Sequence, residues 1–117
     1  MMAEYYALSS AMREVLPVRD LVMKVAGALG LNEMVKSTFK CTAHEDNSAC
    51  ETLANLEPGR QTPRSKFFDN KVHWFRSMLS DDITVVRVDT KQQLADAYTK
   101  PLPREDFERL RKMLVGW

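Results

Sequence analysis

Hydrophobic residues recur at helical spacing through the first quarter of the chain. Residues 3–29 carry apolar side chains every three or four positions, which predicts one long helix over this range. Pro17 lies inside the pattern and predicts a kink or a one-turn break, because proline cannot donate the intrahelical hydrogen bond. Gly27 and Gly30 mark the expected end of the helix.

Two later segments have strand patterns. Residues 38–46 alternate, which predicts a half-buried strand. One face would carry Phe39, Cys41 and Ala43, and the other Lys40, Thr42 and His44. Residues 83–88 are the most β-branched segment of the chain and predict a second strand.

Helices are predicted around these strands. Asp46 or Asn47 is suited to cap a short helix that ends near Leu56. Further helices are predicted over residues 65–79, 92–99 and about 103–115. In the first of these, Phe68, Val72, Phe75 and Leu79 would point inward and Asp69, His73 and Arg76 outward. In the last, the apolar stripe is Phe107, Leu110, Met113 and Leu114.

Strands that alternate with helices predict an α/β fold with parallel strand pairing. Two strands make a very small sheet, since three or more are usually needed for independent stability. We therefore expect the first strand to present an unpaired edge, and further strands of the same domain to lie upstream.

Composition is that of one globular domain. The 117 residues are 44% hydrophobic and 28% charged, and the net charge of +1 excludes the footprint of a strongly basic DNA-binding protein. No apolar run approaches the roughly 20 residues of a membrane span, and the early Glu4 argues against a signal peptide. Two cysteines do not form a disulfide scaffold, so we expect an intracellular protein that is not secreted.

Acidic residues stand where the predicted elements meet. Glu4 lies on the first helix, Asp46 at the end of the first strand, and Asp96 on the helix after the second strand. Adjacent parallel strands would bring Asp46 and Asp96 to the same rim, where sites in such sheets form. Carboxylate oxygens suit Mg²⁺, and two such ions can activate a water for phosphodiester hydrolysis. The chain has 16 acidic residues, however, and most of these, including Glu45, are expected to be solvated.

Two other groupings allow more than one interpretation. Cysteine and histidine residues have zinc-like spacing, but strand alternation separates them, and we interpret them as structural: Cys41, His44, Cys50 and His73. Residues 60–76 hold five cations against one acid, a net charge of +4: Arg60, Arg64, Lys66, Lys71 and Arg76. This basic segment could follow a nucleic-acid backbone through phosphate contacts, or be an ordinary solvated face.

Four motifs follow one another along the chain. They are AEYYALSSAMRE at 3–14, EDNSA at 45–49, PRSKFFDNKVHWF at 63–75 and DTKQQLADAYTKPLP at 89–103. In this order they resemble the AEYxALSxAxRE, EDNxxA or CDNxxA, RTKHIDxxxHF and TxxQLADxxTKPLP motifs of the ribonuclease H domain in copia-type LTR retrotransposon Pol polyproteins. Phe67 and Phe68 replace the His-Ile of the third motif, while the fourth motif is the most specific.

This resemblance implies a ribonuclease H fold that uses Mg²⁺, with Mn²⁺ as a substitute, to hydrolyse the RNA strand of RNA–DNA hybrids during reverse transcription. It assigns Glu4, Asp46 and Asp96 to three of the four metal-binding catalytic carboxylates of the family. Asp69, which also lies in a family motif, competes for the last position. The remaining carboxylate belongs to a strand that precedes the AEY helix. We therefore expect residues 1–117 to form a partial, truncated ribonuclease H-like domain, with the first three strands missing and little or no catalysis by the isolated chain.

The partners implied by the resemblance are an RNA–DNA hybrid and the upstream reverse transcriptase part of the same polyprotein. No membrane and no small-molecule cofactor are expected, and the implied location is a cytoplasmic particle or the nucleus. The alternative interpretation is a catalytically inactive retrotransposon remnant, at most a weak nucleic-acid-binding or interaction module.

Overall fold

The computed structural model describes residues 2–68 and 70–117, and it shows a mixed α/β fold. The helices are α1 Met2–Ala28, α2 Asn32–Thr38, α3 Ser48–Ala54, α4 Asp96–Thr99 and α5 Arg104–Val115. The strands are β1 Cys41–Glu45 and β2 Ile83–Arg87, and short 3₁₀-helices span Ser65–Phe67, Asn70–Met78 and Thr90–Gln92. Within these described ranges, no helix combines the length and apolar character needed to cross a membrane.

The two strands pair in parallel, as predicted. Their register runs from Cys41 opposite Ile83 to Glu45 opposite Arg87. Burial alternates along β1, with Thr42 and His44 exposed and Glu45 buried. The sheet therefore has one face toward the core, and both strands end at the same rim.

The outer edges of the two strands differ. On β2, Ser80 pairs with Ile83 in an antiparallel bridge, and the side-chain amide of Asn55 donates to the carbonyl of Val85 at 3.1 Å. On β1, the Gln93 side chain donates to the His44 carbonyl at 3.0 Å. Within the described part of the chain, the backbone of Thr42 has no such partner on this side. The β2 edge is thus closed by the chain itself, whereas the β1 edge is largely open.

Helix α1 runs without interruption through Pro17, so the predicted one-turn break is wrong. Pro17 is exposed, and water can bond the carbonyl of Arg13 that loses its amide donor. Burial of the opposite face, which includes Tyr5, Met12 and Leu16, stabilises the helix across this position.

The segment between α1 and β1 contains a helix that the hydrophobic pattern does not predict. Gly30 has a positive φ of 72°, which reverses the chain after α1 and leads into α2. Because α2 continues to Thr38, β1 begins at Cys41, later than the predicted start at residue 38.

The predicted helix over residues 65–79 is divided into two 3₁₀-helices. With three residues per turn, residues three apart share a face, so Val72 and Phe75 both point into the core. His73 and Arg76 share another face for the same reason, and Arg76 is buried, not outward as expected. Asp69 lies outside the described residues.

The core lies between α1, α3, the Asn70–Met78 helix and one face of the sheet. Its buried members are Tyr5, Leu8, Met12, Leu16, Cys50, Leu53, Ala54, Phe68, Val72, Phe75, Ile83 and Val85. Helix α5 contributes little, because Leu110 is buried while the other members of its predicted stripe, Phe107, Met113 and Leu114, remain exposed. The core thus fixes α1 against the strands, and this places the first turn of α1 near the rim of the sheet.

Candidate active site

A cleft of about 710 Å³ lies at the rim where both strands end. Its walls come from α1, from the end of β1 and the residues that follow it, and from α4 and the residues just before it. Glu4, Asp46 and Asp96 all line this cleft. The structure therefore brings together the three carboxylates that sequence analysis selected from separate motifs.

Asp96 is the first residue of α4 and is only 7% exposed. Its carboxylate oxygen Oδ1 lies 2.9 Å from Nζ of Lys100, one helical turn later. The same ammonium group lies 4.0 Å from Oδ2 of Asp46. The hydrogen bond to Asp96 raises the pKa of Lys100, and the charges of Asp96 and Asp46 act in the same direction. Lys100 is therefore a protonated cation between two acids of the cleft.

The carboxylates do not form a ready-made metal centre. Across residues 2–68 and 70–117, no three His, Cys, Asp or Glu side chains are grouped closely enough to hold a metal ion as they stand. Between Asp46 and Asp96 lies the positively charged ammonium group of Lys100. Lys100 is not among the site residues predicted from the sequence, although its i,i+4 spacing from Asp96 is typical of a helical ion pair.

Glu45 is buried, so the expectation of a solvated rim position is wrong. Alternation along β1 keeps Glu45 on the same side as Cys41 and Ala43, which faces the core. Its Oε1 accepts the backbone amide of Asn47 at 2.9 Å, and its Oε2 accepts the thiol of Cys50 at 3.3 Å. Burial, followed by the hydrogen bond to Glu45, raises the pKa of the Cys50 thiol. Glu45 thus fixes the turn from β1 into α3.

Asn47, not Asp46, caps helix α3. The side-chain oxygen of Asn47 accepts the amides of Ala49 at 3.0 Å and Cys50 at 3.1 Å. Asp46 is therefore not needed for capping, and its carboxylate is available to the cleft.

The cysteine and histidine residues with zinc-like spacing are distributed over different environments. Cys41 packs against the core, whereas His44 is exposed on the other face of β1. Cys50 bonds to Glu45 within the core. His73 lies on the Asn70–Met78 helix, far along the chain from these residues, and bonds to Tyr5.

Arg76 differs from its expected role as a surface phosphate contact. Its side chain is buried, at 4% exposure, and its guanidinium group binds carbonyl oxygens of the preceding loop. Nε donates to Leu56 at 3.2 Å, and Nη2 donates to Arg60 at 2.7 Å and also to Glu57. Because these bonds occupy the guanidinium group inside the protein, Arg76 fixes the loop and is not free to meet a phosphate.

The other four cations of the basic segment are exposed: Arg60, Arg64, Lys66 and Lys71. Arg60 forms a surface ion pair with Glu57 at 3.0 Å. The ammonium group of Lys66 lies 4.9 Å from the centre of the Phe67 ring, which is itself 80% exposed. The accessible part of the basic segment thus consists of these four residues.

Tyr5 and His73 connect α1 to the Asn70–Met78 helix, and sequence analysis gives no sign of this contact. The Tyr5 hydroxyl lies 2.9 Å from Nδ1 of His73, and Nη1 of Arg76 lies 3.2 Å from the same nitrogen. Since both neighbours can donate, Nδ1 acts as the acceptor of a neutral imidazole. Burial, followed by the charge of Arg76, lowers the pKa of His73. The contact anchors the residue next to Glu4 and so helps to position that carboxylate.

These features define a small α/β domain with an acid-lined cleft at the ends of two parallel strands, and its sequence supports an origin in a retrotransposon Pol polyprotein. Over 118 residues, which cover 97% of this chain, it is 43% identical to the retrovirus-related Pol polyprotein from transposon TNT 1-94 of Nicotiana tabacum. The chain spans 8% of the length of that polyprotein. No protein-family model matches the sequence, and no solved structure gives a significant match.

Proposed function

We propose that this chain is part of a retrotransposon-encoded ribonuclease H that hydrolyses the RNA strand of RNA–DNA hybrids. The observation that carries the proposal is the convergence of Glu4, Asp46 and Asp96 on one cleft. Relationship to a Pol polyprotein supports it, because reverse transcription leaves a hybrid whose RNA strand must be removed.

The donor set of the cleft fits a hard divalent cation. Glu4, Asp46 and Asp96 offer carboxylate oxygens, which are the ligands that Mg²⁺ and Mn²⁺ prefer. When bound, a pair of such ions would supply an activated water and stabilise the leaving oxygen of the phosphodiester. For the three residues to act as ligands, Lys100 must withdraw from its position between Asp46 and Asp96.

The exposed basic residues have a proposed role in holding the hybrid. Arg64 and Lys66 lie in the segment between α3 and the Asn70–Met78 helix, and Lys71 is the second residue of that helix. Phosphate contacts from such residues give affinity without reading sequence, which suits an enzyme that acts on any hybrid. The proposed protein partner is the reverse transcriptase part of the same polyprotein, in a cytoplasmic particle or the nucleus.

The test is cleavage of end-labelled RNA in a hybrid with Mg²⁺, by this chain and by any longer form translated from its reading frame. In an active form, Asp46→Asn and Asp96→Asn should each reduce the rate by about a hundredfold or more, since loss of residues that only support metal ligands already costs 10–100-fold. Glu105→Gln, an exposed acid on α5, is the matched control and should leave the rate unchanged.

Asp69→Asn should reduce cleavage at most modestly. Complete loss of activity in Asp69→Asn, combined with an active Asp96→Asn protein of normal fold, would reverse the assignment of these two residues. Equal activity in Asp46→Asn, Asp96→Asn and Glu105→Gln would contradict the proposed chemistry of the cleft.

A non-catalytic nucleic-acid-binding remnant is the second candidate, favoured by the position of Lys100 between the two acids. This candidate predicts that the chain binds a hybrid and that no form of it cleaves the RNA. Binding would then weaken in Arg64→Ala and Lys66→Ala, and its salt dependence would decrease.

A further inference from the structure

We propose that Lys100 is a built-in counter-ion, which holds the metal-free cleft together and competes with the divalent cation for Asp46 and Asp96. This inference rests on the proposed function, because it concerns the same carboxylates. It adds a residue that regulates occupancy of the site without being a ligand.

Asp96 needs a compensating charge when no metal is bound. A buried carboxylate without a partner is costly, since it has lost its hydration. The side chain of Asp96 is 9% exposed, and the Lys100 ammonium group at 2.9 Å supplies this charge. The backbone amide of Lys100 also donates to the carbonyl of Asp96 at 3.1 Å, so the two residues are joined through both backbone and side chain.

The same ammonium group links two elements of the fold. Asp46 follows β1, whereas Asp96 and Lys100 belong to α4 and its C-terminal cap. At 4.0 Å from Asp46, Lys100 offsets the repulsion that two neighbouring carboxylates would otherwise exert on each other. In the metal-free state it therefore stabilises the approach of α4 to the end of β1.

A divalent cation and Lys100 cannot both occupy this position. An ion held by Asp46 and Asp96 would meet the like charge of the Lys100 ammonium group, and this repulsion is strong in a partly buried cleft. The side chain of Lys100 is 50% exposed, so it has a route into solvent. Metal binding is thus coupled to release of Lys100.

The backbone around Lys100 restricts how this release can occur. Lys100 is extended, with φ −130° and ψ 143°, and Pro101 follows it. A residue before proline is disfavoured in the α-helical conformation, so α4 cannot extend through Lys100. The ammonium group therefore leaves by rotation of its side chain, while the backbone bond to Asp96 remains.

The test is the affinity for Mg²⁺ and Mn²⁺, measured calorimetrically on the full chain, together with thermal unfolding in chelator and in Mg²⁺. Lys100→Met removes the charge and keeps the length of the side chain. It should bind both metals about tenfold more tightly than the parent chain and melt at a lower temperature in chelator. Mg²⁺ should raise its melting temperature by more than it raises that of the parent.

Two further variants separate charge from structure. Lys100→Arg retains the cation and should bind metal with nearly the parental affinity. Lys112→Met, which removes a lysine from the exposed surface of α5, should behave as the parent in both measurements. Lys100→Gln replaces Lys100→Met if the latter does not fold, as judged by circular dichroism.

The outcomes distinguish this inference from the proposed function. If Lys100→Met binds metal no more tightly than Lys112→Met, while Asp96→Asn abolishes binding, the role of Lys100 is wrong and the metal site stands. If neither the parent chain nor Lys100→Met shows metal binding that depends on Asp96, both the proposed function and the proposed role of Lys100 are overturned.

Discussion

At the scale of single residues, consecutive side chains point in different directions and therefore have different structural roles. Glu45 and Asn47 build the junction between β1 and α3, whereas Asp46 between them faces the cleft. The period of the strand places Glu45 on the same face as Cys41, and this decides its burial against the expectation that it would be solvated. A carboxylate on the core side needs a donor, and the Cys50 thiol that supplies one is visible only in the folded chain.

His73 makes stability depend on pH. Its pKa is lowered by burial and by Arg76, so the unfolded chain binds the proton more readily than the folded one. Its stabilising contribution is fully present above the unfolded pKa of about 6.5 and is lost as the pH falls toward the lowered folded value. We therefore expect the melting temperature to decrease between pH 7 and pH 5, and His73→Asn to flatten this dependence.

The other histidine of the chain provides the control. His44 is exposed on β1, and His44→Asn should retain the pH profile of the parent. Nuclear magnetic resonance titration of the His73 imidazole in the parent should give a pKa below the ordinary value of histidine. If the pH profile of the melting temperature is flattened in His44→Asn and not in His73→Asn, the prediction that His73 causes the pH dependence is wrong.

At the scale of elements, Arg76 joins the Asn70–Met78 helix to the loop after α3. Removing its guanidinium group leaves the carbonyl groups of Leu56, Glu57 and Arg60 without this donor. Since hydrogen bonds to charged groups contribute about 1.5–3 kcal/mol each and losses of this kind are not additive, we expect Arg76→Ala to reduce the free energy of unfolding by about 3 kcal/mol in urea titrations.

An exposed arginine of the same segment gives the comparison. Arg64→Ala should change the free energy of unfolding by no more than about 0.5 kcal/mol, as surface substitutions usually do. Arg76→Lys should recover only part of the loss, because one ammonium group cannot reach three separate carbonyl groups in the geometry of a guanidinium fork. Equal stability of Arg76→Ala and Arg64→Ala would show that the loop is held by other contacts.

The elements that the sequence predicts well are those with a strict period and clear ends. The alternation before Asp46 and the β-branched run at 83–88 both correspond to observed strands. Helix α2 is missed because its seven residues are too few to show a period. The Asn70–Met78 segment is misassigned because an α-helical and a 3₁₀ pattern both place Val72 and Phe75 inward, and they differ in where Arg76 points.

At the scale of the whole molecule, Cys50 reports whether the core is intact. Its side chain is fully buried, and its pKa is raised by burial and by Glu45, so the reactive thiolate is suppressed in the fold. In a Cys41→Ser protein, alkylation of Cys50 should be slower than in the denaturant-unfolded chain by about a thousandfold or more. Mass spectrometry after timed alkylation measures both rates.

The second cysteine again serves as a comparison. Cys41 is only half buried, so in a Cys50→Ser protein of normal fold it should react much faster than Cys50 does. Similar rates for the two thiols under native conditions would mean that the core between α1, α3 and the sheet opens readily.

From the sequence, the candidate site could be predicted only for the carboxylates that lie in recognisable motifs. Glu4, Asp46 and Asp96 could be selected because each lies in a motif, and the parallel sheet then explains their approach. The approach of Lys100 to Asp46 depends on how α4 is placed against the end of β1, which no local pattern specifies. Arg76 was misjudged for a similar reason, since its acceptors belong to a loop more than a dozen residues upstream.

Because the two edges of the sheet differ, the sheet can be extended on one side only. Ser80 and Asn55 already occupy the outer side of β2, so an additional strand from any source can join only beside β1. If it ran parallel to β1, its last residues would arrive next to Asp46. A strand that extends the sheet at the β1 edge would therefore also add residues to the acid-lined cleft.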